Sequence, residues 1–332
     1  MHFINSSFNI NITKLSNNKI LFSTKNLIID YNLDLHKIIT PILNNYKEIS
    51  VEFINTNESC FNNFALILEI NKELLNNDII NPEENHLYYL NKYNKTIENA
   101  DLLKYNVIGL AIIGLIVKEF LLSNYNIILF THINSIKNIY DKISNYDTLI
   151  NDINLYKQDK LPIVDPRGKQ LMQKIINKSI NSKQPISGSL ETIIYNVPKG
   201  LGKPYFNLFE ASLSGMMYLI PGLKSLEFAN VYKINSNLEN CYSDISFEND
   251  KIKYASNVYY GVESGITTGD IIRFSTHFLP PFLYNKTSTS INYKTLENIY
   301  VVKSKQEYFN LHQKIIFVEA LTSLCIYNLI KG

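Results

Sequence analysis

Two glycine-bearing segments contain the residues best suited to shaping a ligand site. The chain has 12 Gly in 332 residues, and "PKGLGKPYF" (198–206) and "SGITTGD" (264–270) hold four of them. In the second segment the backbone can approach a ligand closely and present N–H groups to a phosphate or a ring edge. The alternative is a turn between strands that binds no ligand, which would use the same residues. In the first segment, a reversal between strand and helix needs positive φ or close packing, so its glycines are predicted to be structural.

The other reactive side chains form no recognisable metal or nucleophile motif. The six histidines show no HExxH or paired spacing, so no metal site is predicted. The sequence also lacks a Walker loop and a G-x-S-x-G elbow. The three cysteines lie far apart, without a CxxC pair or a preceding signal-peptide pattern. We therefore expect reduced thiols and a cytoplasmic location.

Composition indicates a folded protein with a small-molecule partner. Hydrophobic residues make up 45% of the chain, charged residues 19%, and the formal net charge is +2. Lysines are scattered and only two arginines occur, Arg167 and Arg273, so a nucleic-acid partner is not expected. The 23 Tyr and 17 Phe are dispersed and are predicted to fill the core.

The longest apolar run, "VIGLAIIGLIV" (107–117), predicts a buried core helix. The run ends at Lys118, short of the roughly 20 residues that a membrane span needs. No membrane partner is therefore expected. Gly109 and Gly114 would let other elements approach this helix closely.

The order of predicted elements favours a layered α+β sandwich in one domain. Apolar periodicity predicts strands at 18–30, 48–56, 64–71, 126–133, 189–197, 223–234, 269–278 and 297–305, and helices at about 101–122, 165–180, 206–220 and 311–330. The polar segment that follows the strand at 126–133 and extends to about Lys160 is predicted to be mostly helical and exposed. Strands and helices do not alternate strictly, which disfavours a doubly wound parallel sheet. No linker rich in Pro, Gly or Ser divides the chain.

Several segments together resemble the chorismate synthase family. "VPKGLGKPYF" is similar to the family's VP-x-GLG-x-P-x-F, and "NVYYGVESGITTGDII" (257–272) to its N-x-x-GGI-x-GGISTG-x-I. "IPGLKSLEF" (220–228) is similar to SIPAVKG-x-E-x-G, and "IIGLIVKEFL" (112–121) resembles AAGAIAKKFL. These pieces keep the family's order and spacing over roughly residues 48–330. The resemblance therefore identifies the chain as a strongly diverged member.

The resemblance implies a chorismate synthase-like β-α-β sandwich covering residues 1–332 as a single domain. It also implies elimination of phosphate from 5-enolpyruvylshikimate 3-phosphate to give chorismate, with reduced FMN as cofactor and a homotetrameric assembly. The residues implied to act in catalysis are Glu307 and His86, for which a lone surface histidine is the alternative interpretation. Those implied to bind the cofactor are Pro221, Gly222, Ser264, Gly265, Gly269, Pro280 and Lys305.

The chain departs from the family at most of the charged motif positions. The family's GESHG histidine segment is missing near the N-terminus, and the histidine of RPGH corresponds to Glu84, two residues before His86. Both arginines of GRSSARET are absent from 100–106, where only Lys104 is cationic. Of the family's KPTSS, Pro280 remains and Leu279 replaces the lysine. RHDP aligns with "KQEY" (305–308), which keeps the charge signs.

Three hypotheses follow from this mixture of retained backbone motifs and lost side chains. The chain is a divergent synthase with slow activity, a pseudoenzyme of the same fold that binds flavin or other subunits, or an unrelated α+β scaffold with biased composition. Loss of one pre-organised charge commonly lowers activity by a factor of about 100. Flavin binding separates the first two hypotheses from the third, and an anaerobic assay separates the first from the second.

Overall fold

A computed structural model describes most of the chain. The described residues are 8–16, 18–27, 33–54, 64–71, 101–203, 205, 207–228, 243–248, 251–254, 256–281, 288–291, 295, 297–301 and 307–332. The helices are α1 Leu35–Asn45, α2 Asp101–Tyr125, α3 Tyr146–Leu149, α4 Ile153–Lys157, α5 Pro166–Ser182, α6 Phe209–Met217 and α7 Leu311–Lys331. The strands are β1 Asn9–Ser16, β2 Lys19–Lys25, β3 Ile49–Ile54, β4 Ala65–Ile70, β5 Ile128–Ile136, β6 Ile139–Tyr140, β7 Gly188–Tyr195, β8 Leu223–Phe228, β9 Ile245–Glu248, β10 Lys251–Tyr254, β11 Val262–Glu263, β12 Ile266–Thr267, β13 Ile272–Phe278, β14 Ser288–Ile291 and β15 Asn298–Val301.

Two long helices, α2 and α7, pack against each other at very short range. A Cβ added to Gly114 of α2 would lie 2.3 Å from the carbonyl oxygen of Ala320 in α7. Further along, the rings of Phe120 and Tyr327 meet at 5.5 Å between centroids. Because the contacts advance in the same direction along both helices, α2 and α7 run parallel.

Two antiparallel sheets enclose these helices. One has the strand order β1-β2-β4-β3 and the other β6-β5-β7-β13-β8. Helix α2 contacts β2 of the first sheet and β5 of the second, while α7 contacts β5 and β7. Gly109 lies against the ring of Phe22 on β2, so both glycines of the apolar run serve as close-contact points. The predicted α+β class and β-α-β sandwich are confirmed; the domain limits 1–332 stay a prediction.

The start of α5 was predicted correctly down to its capping residues. Asp165 is the N-cap, and its carboxylate accepts hydrogen bonds from the backbone N–H groups of Arg167 and Gly168 at 3.1 and 3.0 Å. Pro166 takes the first helical position, where its missing N–H costs nothing. Met172 and Ile176 lie on the buried face of this helix.

The segment before α5 is largely exposed, as predicted, but less than half of it is helical. Residues 141–165, which we call the strap, contain only the two short helices α3 and α4 and cover one face of β5 and β7. Leu149 and Ile153 are buried there against Phe130 and Ile193. Its few apolar residues pack against the sheet from two short helices and the turns beside them. Such short pieces leave no helical periodicity in the sequence.

Two helices are long and apolar enough to cross a membrane by length and composition alone. They span Tyr105–Tyr125 and Leu311–Lys331, with mean hydropathies of 1.9 and 1.3. The apolar run 107–117 forms only the middle of α2, whose bounds Asp101–Tyr125 agree with the helix predicted at about 101–122. Most of each apolar window, 72% and 61%, is buried inside the protein. Core helices pass the same test, and it is weak evidence for a membrane span.

We predict opposite effects of alanine at two helical glycines. Gly114→Ala places a Cβ against rigid backbone of α7 and should lower the free energy of unfolding by about 1–3 kcal/mol. Gly215 of α6 is exposed with nothing within 4 Å of an added Cβ, so Gly215→Ala should raise it by about 0.5–1 kcal/mol. Urea unfolding of the two variants measures both. An unchanged or more stable Gly114→Ala protein would contradict the close helix contact.

Candidate functional site

The predicted site residues lie at two opposite ends of the five-stranded sheet. Strand β7 is antiparallel to β13, with Ser189 opposite His277 and Ile194 opposite Ile272. We name the ends after β7: the Gly188 end, where β7 begins and β13 ends, and the Tyr195 end. At about 3.3 Å per residue, seven residues of β13 separate the two ends by roughly 20 Å.

Ser264, Gly265 and Gly269 lie at the Tyr195 end, beside the loop that follows β7. Ser264 and Gly265 have φ of 51° and 82° and connect β11 to β12, as a two-residue hairpin turn of type I′ requires. A Cβ on Gly202 would lie 2.1 Å from the carbonyl oxygen of Gly265. The same oxygen accepts a hydrogen bond at 2.8 Å from the backbone N–H of Phe209, at the start of α6.

Other parts of this chain fill the space beside these glycines. The side chain of Leu208 occupies the position of a Cβ at Gly265, and that of Lys199 occupies it at Gly269. The alternative of a turn between strands therefore accounts for both glycines. The positive φ of Gly200 and Gly202, 83° and 105°, confirms the structural role predicted for the first motif. Flavin contacts by Ser264, Gly265 and Gly269 stay predictions.

Pro221, Gly222 and Pro280 lie together at the Gly188 end. Pro221 and Gly222 form a turn between α6 and β8, with a 3.2 Å hydrogen bond from the N–H of Leu223 to the carbonyl of Ile220. Proline followed by a glycine with φ of 85° suits a type II turn. The carbonyl of Gly222 accepts a 2.8 Å hydrogen bond from the N–H of Leu279, which joins this turn to Pro280. Nothing lies within 4 Å of a Cβ added to Gly222, so this turn is open.

Glu307 lies at the same end, just before α7. The backbone carbonyl of Tyr308 accepts a 3.0 Å hydrogen bond from the N–H of Ile186, two residues before β7. Asn310 and Gln313 donate to the two carboxylate oxygens of Glu307 at 3.1 and 3.0 Å. The carboxylate therefore has a fixed orientation over the first turn of α7.

Tyr46 lies near Glu307, and Tyr105 of α2 lies near Tyr46. Burial raises the pKa of Tyr46 to about 12, aided by the charges of Glu48 and Glu307 and by Tyr105. Tyr46 follows α1, and Tyr105 lies near the start of α2. Because α2 and α7 are parallel, both begin at this end and direct the positive ends of their dipoles toward it. The Gly188 end is thus suited to an anionic ligand.

Two polar atoms at the Gly188 end have no hydrogen-bond partner among the described residues. They are Nδ1 of His312, on the first turn of α7, and Oγ of Ser187, just before β7. Burial lowers the pKa of His312, the nearby Glu307 raises it, and Lys160 lowers it. Unpartnered buried polar atoms are uncommon, and ligand sites are among the places that retain them.

Three predicted contributors cannot be placed. His86 and Lys305 lie outside the described residues, and for Lys104 only the helical backbone is described. Their predicted roles stay predictions. Of the other predicted residues, Pro221, Gly222, Pro280 and Glu307 share the Gly188 end, while Ser264, Gly265 and Gly269 lie at the opposite end.

Comparison with known proteins reveals the family. The chorismate synthase family model matches residues 80–330, about three quarters of the chain. The chain belongs to the chorismate synthase family. It is 26% identical over 206 residues to the chorismate synthase of Methanococcus vannielii, covering 60% of this chain and 55% of that protein. It is 28% identical over 229 residues to that of Saccharomyces cerevisiae, covering 66% and 61%.

A solved chorismate synthase structure has the same fold. It superposes with a TM-score of 0.69 at 16% sequence identity, covering 98% of this chain and 91% of that one. The sequence alignments, in contrast, span little more than half of the length of the relatives above. Chorismate synthase architecture therefore extends over more of the chain than recognisable sequence similarity does.

A buried charge network, which the sequence did not reveal, lies under the strap in this chain. His132 on β5 bonds through its two ring nitrogens to Asp141 and Glu191 at 2.8 and 2.9 Å. Arg273 on β13 donates to Glu191 at 2.7 and 3.0 Å and stacks on Tyr146 at 3.5 Å from the ring centroid. In the series of contacts Asp141–His132–Glu191–Arg273, negative and positive groups alternate.

The network fastens both ends of the strap to the sheet. Asp141, where the strap begins, accepts hydrogen bonds from the N–H groups of Val164 and Asp165, where it ends, at 2.8 and 2.7 Å. Tyr146 adds a link, since Arg273 donates to its hydroxyl at 2.6 Å. The described residues offer no group of three or more His, Cys, Asp or Glu arranged to hold a metal. Both nitrogens of His132 are used internally, so we interpret this network as structural.

The pKa values of the network reflect competition between burial and pairing. Burial disfavours the charged form of His132, but hydrogen bonds to Asp141 and Glu191 outweigh it and raise the pKa to about 9. Burial likewise disfavours charged Glu191, but the hydrogen bond and charge of His132, together with Arg273, lower its pKa to about 2. Both groups are therefore charged at neutral pH.

Removing the central carboxylate should be far more damaging than removing a surface one. Glu191→Gln leaves His132 and Arg273 buried without their shared counterion and should lower the free energy of unfolding by about 3–5 kcal/mol. The control Glu69→Gln removes a half-exposed partner of Lys19 at 3.4 Å and should cost less than about 1 kcal/mol. Equal effects of the two changes in urea unfolding would refute the network.

Stability should fall as the pH rises through the pKa of His132. Because folding raises that pKa from 6.5 to about 9, the stabilisation is complete below pH 6.5 and is lost as the pH rises through 9, by up to about 3 kcal/mol. The free energy of unfolding measured between pH 6.5 and 9.5 should show this decline in the parent chain. It should be nearly absent in His132→Gln; the same slope in both proteins would assign the decline to other groups.

Proposed function

We propose that the chain eliminates phosphate from 5-enolpyruvylshikimate 3-phosphate to form chorismate, at the Gly188 end and with reduced FMN. One observation carries this proposal: Glu307 is held in a fixed orientation where two parallel helices begin. The family membership supplies the reaction class. The location of Pro221, Gly222 and Pro280 at the same end supports a ligand site there.

The residues at the Gly188 end fit a flavin and a phosphorylated ring. The open turn at Gly222 and the half-exposed Leu279 offer an apolar surface for a planar ring. Two helix N-termini favour phosphate. When bound, reduced FMN supplies electron density for loss of the leaving group. Pro221, Gly222 and Pro280, and by sequence Lys305, would hold it.

The chain's own residues would orient the substrate and move protons. The carboxylate of Glu307, kept in position by Asn310 and Gln313, would relay protons between the site and solvent. The helix N-termini of α2 and α7 would stabilise negative charge on the departing phosphate. Tyr46 and Phe309 would restrict water at this end.

Loss of the family's arginines favours slow activity. Lys104 and Lys305 can provide point charges but not a planar bidentate contact with phosphate or carboxylate. The same loss supports a second candidate function, a flavin-binding pseudoenzyme of this fold. The two candidates differ in chorismate formation and agree in flavin binding.

A cytoplasmic homotetramer is part of the proposal. Two-stranded sheets are marginally stable alone, and the pairs β9–β10 and β14–β15 expose large apolar side chains. Phe247 is 70% exposed and Tyr300 79% exposed. Contact between subunits would cover such residues. No nucleic-acid or membrane partner is proposed.

Flavin quenching and an anaerobic assay test the proposed function. The chain should quench FMN fluorescence, more strongly with 5-enolpyruvylshikimate 3-phosphate present, and should form chorismate with reduced FMN. Glu307→Gln should lower kcat by about 100-fold because a positioned proton carrier is lost, with FMN affinity unchanged. The control Glu297→Gln alters an exposed carboxylate and should have no effect.

Two results would reject parts of the proposal. Chorismate formation no greater than without protein, despite flavin binding, would select the pseudoenzyme. Failure to bind FMN at all would remove both candidates.

A further inference from the structure

His312 differs from every other described histidine in its surroundings. It occupies the first turn of α7, where its ring stacks on Phe309 with centroids 5.8 Å apart and an interplanar angle of 25°. His132 uses both of its nitrogens in hydrogen bonds. His277 faces Glu227 at 3.6 Å, and His36 is exposed and packs edge-on against Phe53. Among the described histidines, His312 alone has a buried nitrogen without a partner.

Leaving that nitrogen unpartnered is unfavourable unless a ligand uses it. A buried polar atom without a hydrogen bond costs free energy because its contact with water has been lost. Stacking on Phe309 fixes the ring plane and thereby the direction of Nδ1. The imidazole is therefore held ready before any ligand arrives.

The charges around His312 suit a proton acceptor. Burial lowers its pKa, so the neutral imidazole predominates at neutral pH and has a free lone pair. Glu307 lies close enough to stabilise the imidazolium that forms, and Lys160 opposes it. These are the charged groups that act on the ring in the described part of the chain.

We propose that His312 accepts the proton released in the elimination, an inference that rests on the proposed function. The substrate C–H bond breaks and its electron pair forms the new C=C bond. The C–O bond to phosphate breaks, and its electron pair leaves with phosphate. The proton passes to Nδ1 of His312, so the elimination has no net oxidation or reduction. The histidine-bearing segments of the family are missing or altered here, and His312 supplies an imidazole from a different backbone position.

The test compares His312→Phe, which keeps the aromatic contact with Phe309, with the control His36→Phe on the exposed face of α1. With reduced FMN and 5-enolpyruvylshikimate 3-phosphate under anaerobic conditions, His312→Phe should lower kcat by about 100-fold or more. KM and FMN affinity should change less than threefold. The fall of kcat at acidic pH, which protonation of His312 would cause in the parent chain, should disappear. His36→Phe should match the parent chain.

Two outcomes would overturn the proposal. One is a His312→Phe protein whose kcat and pH profile equal those of the parent chain. His312→Gln carries the same test if the phenylalanine variant fails to fold. The second applies if the parent chain makes no chorismate. That result rejects the proposed function, and substrate binding at His312 is then tested alone. NMR of imidazole nitrogens then decides: a His312 shift on adding the substrate supports contact at this residue, and no shift at saturation overturns it.

Discussion

The close contact between α2 and α7 is the constraint on which the rest of the structure depends. Gly114 has no side chain, so the backbone of Ala320 can lie against it and the two helices can run parallel through the middle of the sandwich. Their parallel course brings both N-termini to the Gly188 end. The site follows from this arrangement: Tyr105 lies near the start of α2, and Glu307 and His312, about 200 residues later in the sequence, lie at the start of α7.

The glycine motifs that reveal the family stabilise backbone corners. The loop at Gly202 packs on the hairpin at Gly265, whose carbonyl also accepts the N–H of Phe209 at the start of α6. These contacts need small residues and positive φ. Such requirements do not depend on charged residues, which explains how the chain can keep the chorismate synthase fold at 16% sequence identity to a solved structure of the family.

Sequence reasoning predicted the long elements because their apolar periodicity is local, while the catalytic role that the family motif implies for Glu307 stays a prediction. It overestimated the helix content of the strap, where sparse apolar residues pack against a sheet. It missed the network of His132, Glu191 and Arg273, whose members are far apart in sequence and become paired only through strand register. It also gave no special role to His312, because a buried nitrogen without a partner is a property of tertiary packing and leaves no pattern in the sequence.

Amide hydrogen exchange with and without reduced FMN and 5-enolpyruvylshikimate 3-phosphate tests the location of the site most directly. The account predicts slower exchange in peptides covering 307–316 and 219–224 when both ligands are present, and unchanged exchange in 261–269. Slowing confined to 261–269, or no change anywhere at saturating ligand, would contradict a site at the Gly188 end.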